Sequence, residues 1–163
     1  MIRTEPGVTS YATPTDNQVV VTRVVRAPRQ LAFEVFTSPK HLPNWMTGPD
    51  GWTMPVCEVD LRAGGTWHYV FRKSNGAEMD MRGSFREVNP PERVVSTERW
   101  GPEWPETINT VEFSERDGLT TMTMTITYPS REARDAALQT GMKDGMEASY
   151  ARMDQYIATL AAG

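Results

Sequence analysis

The spacing of apolar positions changes period twice along this 163-residue chain, and the changes mark out its elements. Val19-Val20-Val21-Thr22-Arg23-Val24-Val25 is a β-branched run that predicts a first strand. Ala27-Pro28 ends it, and proline suits the first turn of a helix because its missing N–H needs no partner there. Leu31/Val35 and Ala32/Phe36 then lie four apart, which stacks apolar side chains on one helix face. Ser38-Pro39 restarts the chain as a second short helix through Leu42 to about Trp45, and Gly48-Pro49-Asp50-Gly51 is a turn.

The middle of the chain alternates with period two. Apolar positions share one parity in Val59-Asp60-Leu61-Arg62, and Gly64-Gly65 makes a tight turn. Trp67, Tyr69 and Phe71 then face one way, with His68 and Arg72 on the other side. Met79, Met81, Gly83 and Phe85 alternate with charged and polar residues, and Asn89-Pro90-Pro91 breaks the chain before a strand from Val94 to Trp100. Two more strands are expected near Thr107–Phe113 and Leu119–Tyr128, joined at Asp117-Gly118. In the last, Met122, Met124, Ile126 and Tyr128 oppose Thr121, Thr123, Thr125 and Thr127, the signature of a sheet with one buried and one wet face.

Pro129-Ser130 closes the sheet and offers a helix N-cap. Leu138, Met142, Met146, Ser149, Met153, Ile157 and Leu160 then form a continuous helical stripe, with Gly141 dividing a short leading helix from a long one. The order β, α, α, about six strands and a long amphipathic helix predicts an α+β domain. Its curved antiparallel sheet has six to seven strands, and only the C-terminal helix is long enough to cover the apolar face. Residues 1–16, rich in Thr, Pro, Ser and Gly, read as a flexible arm or one packed on the outside, and 17–163 as one domain.

Composition narrows the chemistry. The formal net charge of −4 implies no broad basic surface, so nucleic acid is excluded as a partner class, and no apolar run is long enough for membrane insertion. Cys57 is the sole cysteine, which excludes a disulfide framework and points to a cytoplasmic setting. Its lone place on a strand reads as a small hydrophobe. His68 falls on the wet parity and His41 in the second short helix, so neither is read as catalytic. No cluster has metal-ligand spacing, and no cofactor fingerprint is present. Asp60 and Arg62 read as an ion pair or turn brace; Glu58 and Glu98 could line a cavity, but nothing in the sequence raises them above surface charges.

The ten methionines and five tryptophans stand out. Trp67, Tyr69, Phe71, Met79, Met81, Phe85, Met122, Met124, Met142, Met146 and Met153 converge on the space between sheet and helix. They are the candidate lining of a cavity for a small hydrophobic molecule, since unbranched Met adapts to varied apolar shapes. Trp100 and Trp104, in the loop Trp100-Gly101-Pro102-Glu103-Trp104-Pro105, are either a gate at the cavity mouth or a cap on the core edge.

Several segments resemble the branch of START/Bet v 1-like (SRPBCC) proteins named after the C-terminal domain of the Hsp90 ATPase activator. They are Ala27-Pro28-Arg29 through Ser38-Pro39, His41-Leu42 with Trp45, Cys57 through Trp67, Pro90-Pro91-Glu92-Arg93-Val94-Val95, and Thr140-Gly141-Met142 leading into Met146 and Met153. The resemblance runs from about Val19 to Leu160 and implies a helix-grip fold. Two departures stand out: Asn44-Trp45 replaces a frequent Trp pair, and Met142 stands where the family often has Trp. Three functions are open, in order of fit. The first, resting on the converging Met and aromatic face without a catalytic set, is a non-enzymatic binder of apolar ligands, in stress response or sequestration. The second is an aromatase/cyclase- or hydrolase-like enzyme using the same cavity, and the third is a chaperone-interacting module. Homodimerisation is compatible with such a fold.

Overall fold

The computed structural model describes residues 5–162. Eight strands form one antiparallel sheet: β1 (Thr9–Ala12), β2 (Gln18–Val25), β3 (Trp52–Val59), β4 (Thr66–Lys73), β5 (Glu78–Asn89), β6 (Arg93–Glu98), β7 (Thr107–Arg116) and β8 (Leu119–Thr127). The helices are α1 (Arg29–Thr37), α2 (Arg131–Leu138) and α3 (Met142–Ala162), with a single 3-10 turn at Leu42–Asn44. The sheet order is β1-β2-β8-β7-β6-β5-β4-β3. From β3 to β8 the chain is a meander that returns to pair with β2, so α1 and the 3-10 turn carry the chain from β2 to the far edge.

The expected helix-grip architecture is present, with eight strands in place of six to seven. The extra strand is β1, which corrects the expectation of a loose arm for Thr9–Ala12; residues 1–4 lie outside the described residues. The arm's partners are distant in sequence. Thr9–Ala12 pair with Val20–Arg23, and the Tyr11 hydroxyl bonds Glu147 Oε1 of α3 at 3.0 Å. The strand expected at Val59–Arg62 lies earlier, at Trp52–Val59. Its register shifts between Thr53 and Val56, where Pro55 sits on the sheet edge; an edge strand is where a missing ladder donor is tolerated. Asp60 and Arg62 brace the following turn with an ion pair of 2.9 Å.

α1 packs on the β7–β8 end of the sheet, with Phe33 and Phe36 each edge-on to Phe113 at 5.3 and 5.9 Å. Ser130 caps α2 by accepting from the Ala133 N–H at 3.1 Å. Gly141, at φ +81°, makes the left-handed break that separates α2 from α3. Along α3, Ser149, Tyr150, Met153 and Ile157 are buried, while Met142 and Met146 are half-buried. One half of the helix therefore packs solidly and the other faces open space. No described helix is long and apolar enough to cross a membrane.

Candidate functional site

That space is a cavity of about 580 Å³ between the concave face of the sheet, the first half of α3 and the 45–49 segment. It is within the size range of sites for small organic ligands, which run to several hundred Å³ (~300–1,000 Å³). Period-two alternation supplies most of its wall. Trp67, Tyr69 and Phe71 project from β4, Met79, Met81 and Phe85 from β5, and Val94, Ser96 and Glu98 from β6. Met124 comes from β8, and Met142 and Met146 from α3.

Nine of the eleven candidate lining residues thus meet the cavity; Met122 and Met153 do not. Both are buried in solid core, at 4% and 1% exposure. Met122 is paired across the sheet with Phe113, the ring that α1 covers, so its inward side is already filled. Met153 lies where α3 has closed on its neighbours. Trp100 and Trp104 line the wall, half-buried, with ring centroids 5.2 Å apart. The solvent-exposed members of the lining are instead Pro49, Met79, Thr140 and Gly141, which mark where the cavity opens.

The pattern alone missed Trp45 and Trp52, which bring all five tryptophans to the lining, and Tyr150. Trp45 is fixed by an indole bond to the Val35 carbonyl (2.9 Å) and stacks beside Tyr150. Arg23 was also missed as an inward residue. It shares parity with Val19, Val21 and Val25, and its guanidinium pairs with Asp154 of α3 at 2.6 Å while lying 5.4 Å over the Tyr150 ring.

Of the two readings open for Glu98, surface charge and cavity lining, the structure places it in the lining. It shares parity with Val94, Ser96 and Trp100, and all four line the cavity. The Trp100 indole N–H donates to Glu98 Oε2 at 3.0 Å, and the Asn109 side chain of β7 also bonds the carboxyl. Burial pushes its pKa above the ordinary 4.5, against the opposing pull of those two bonds. A carboxyl with a raised native pKa holds its proton longer in the folded than in the unfolded state, so it lowers stability as pH rises from 4.5 through the native pKa. Glu98→Gln is therefore expected to melt above the native protein at pH 7, with the difference shrinking toward pH 4. Melting curves of both proteins across that range check the sign, and a variant that melts lower at pH 7 contradicts it.

Neither histidine nor Cys57 lines the cavity. His68 lies on the outer face, as its parity implies, 2.9 Å from Asp80 and 3.5 Å from Glu58. Hydrogen bonds from Arg82 and then His68 hold Asp80 down to about 2. His41 Nδ1 meets the Tyr156 hydroxyl at 2.6 Å and so ties the 3-10 turn to α3. Burial raises the Cys57 thiol to about 11, which keeps it an unreactive thiol near neutral pH.

Residues 26–158 match the family described as activator of Hsp90 ATPase homolog 1-like protein. Among solved structures, a protein from Rhodobacter sphaeroides superposes with TM-score 0.88 at 26% identity, covering 93% of this chain and 98% of that one. A Mycobacterium smegmatis protein gives 0.80 at 23%, covering 90% and 94%. An AHSA1-like protein from Aeromonas hydrophila gives 0.69 at 18%, covering 88% and 95%. The last two are alike in fold alone. No curated protein matches the chain.

Proposed function

For a chain that belongs to the activator of Hsp90 ATPase homolog 1-like family, we propose the binding of a small, largely apolar molecule in the space between sheet and α3. One observation carries this reading. A cavity of about 580 Å³ persists in the interior, lined by all five tryptophans and by Met46, Met79, Met81, Met124, Met142 and Met146. Interiors normally pack to the density of organic crystals, with few voids larger than a water molecule. A space this large forfeits the dispersion contacts that a filled core would make. An apolar occupant restores them and leaves water through the side marked by Pro49, Met79 and Thr140. Met and Trp suit the task differently: Trp offers flat, rigid area, and Met adjusts its rotamers to the guest.

A ligand that binds only the native state, present at about a hundred times its dissociation constant, adds ~2.7 kcal/mol of stability. For a chain of this size that is a rise of roughly 5–10 °C in melting temperature. Thermal melts with a panel of neutral aromatic and long-chain compounds are expected to show such a rise for some members. A flat response across the whole panel, each compound at its solubility limit, contradicts the proposal.

A further inference from the structure

Resting on that reading, we propose that the ligand carries a protonated amine, held by Glu98 against the indole rings of Trp100 and Trp104. Among the described residues the cavity wall contains no lysine, arginine or histidine, and Glu98 is its one carboxylate. Burial favours the protonated acid in the empty site, and a bound ammonium favours the ionised form, which offers about four lone-pair sites. Trp100 and Asn109 engage the Glu98 carboxyl, which leaves acceptor capacity turned into a space that a bound apolar body empties of water. A desolvated acceptor without a donor is costly, and a desolvated charge without a partner more so.

Three ligand classes fit the apolar wall, and they meet Glu98 differently. A carboxylate, such as a fatty acid, finds no cation in the described lining, and no charge of opposite sign whichever form Glu98 takes. A neutral alcohol supplies one donor but no charge. A protonated amine supplies both, and the aromatic rings of Trp100, Trp104 and Tyr69 in the same wall offer it π systems in an apolar setting. The other titratable groups that face Glu98 are the Tyr69, Tyr128 and Tyr150 phenols, which burial raises and so keeps neutral. The buried guanidinium of Arg23 lies against Tyr150 and is engaged by Asp154 and Thr9. Among the described residues, no lysine, arginine or histidine of the lining is therefore positioned to do what the ligand's ammonium would.

The test is a calorimetric titration at pH 7 with three probes of one shape: 4-phenylbutylamine, 4-phenylbutan-1-ol and 4-phenylbutanoate. The native protein is expected to bind the amine about tenfold or more tightly than the carboxylate, the scale of one buried charge contact. Glu98→Gln, nearly the same shape, is expected to abolish that preference. Equal affinity for amine and carboxylate in the native protein, or a preference that survives in Glu98→Gln, overturns the assignment. The native comparison stands by itself should the variant fold poorly. Binding of the alcohol without any amine preference sinks this inference alone, and failure of all three probes to bind sinks the cavity reading with it.

Discussion

Gly83→Ala is expected to lower stability by about 3 kcal/mol or more, the sum of overpacking at ~1–3 kcal/mol and an orphaned buried acceptor at ~1–3 kcal/mol. A Cβ at this position would fall 1.8 Å from the Thr97 carbonyl oxygen and 2.7 Å from the Trp67 indole nitrogen. Those two atoms are hydrogen-bonded to each other at 3.2 Å, with the indole lying across the glycine. Thr97 is also fixed by its hydroxyl, which accepts from the Ser84 N–H at 3.0 Å. Neither backbone nor ring can give way without breaking the β5–β6 contact and the cavity wall that Trp67 forms. At roughly 2–4 °C per kcal/mol the melting temperature should fall by about 6–12 °C. Gly145→Ala is the control. It lies inside α3, where a Cβ meets nothing, and should gain up to about 1 kcal/mol from helix propensity. Two variants that melt alike would show that Trp67 is not locked over Gly83.

The second large effect is at Asp154. Asp154→Ala leaves the Arg23 guanidinium, at 5% exposure, with Thr9 and the Tyr150 ring as its remaining company. Arg23 Nε already lacks a partner. Removing one member of a buried pair costs ~3–5 kcal/mol, and the partly open Asp154 places the expectation at the lower end, about 3 kcal/mol. Replacing both charges by apolar residues of similar size, Arg23→Met with Asp154→Leu, should recover most of that loss, because the desolvation penalty goes with the pair. Denaturant melts of the single and double variants decide the matter. A double variant no more stable than Asp154→Ala would mean that the charges themselves anchor α3 to β1 and β2.

How much of this was readable beforehand depended on what each residue's partner was. The β8 alternation of Met122, Met124, Ile126 and Tyr128 and the α3 stripe were legible because a period of two or of 3.6 reports which side faces inward. The same periods say nothing about what lies opposite. Met122 and Met124 share one parity, yet α1 fills the space before the first and the cavity lies before the second. Met146 and Met153 share one helical stripe and part in the same way, because the gap between α3 and the sheet varies along the helix. β1 was hidden because its residues are polar and their partners lie in β2 and α3. β3 was misplaced because Pro55 and the register shift interrupt its pattern. Glu98 had a usable signal in its parity with Val94 and Trp100, but a carboxylate on a strand reads as solvated until the wall around it is known.

Titration with Nile red, a neutral apolar fluorophore, tests most directly that the space between sheet and α3 takes up a guest. All five tryptophans line that space, so a bound probe is expected to quench their emission and gain its own, saturating at one probe per chain. Met142 faces the cavity, so Met142→Trp is expected to hold stability while narrowing the site, and to weaken the probe by about tenfold. Absence of saturable energy transfer in the native protein, or a Met142→Trp variant that is destabilised by ~1–3 kcal/mol with probe binding unchanged, would mean that the methionine face is packed core and would contradict the account.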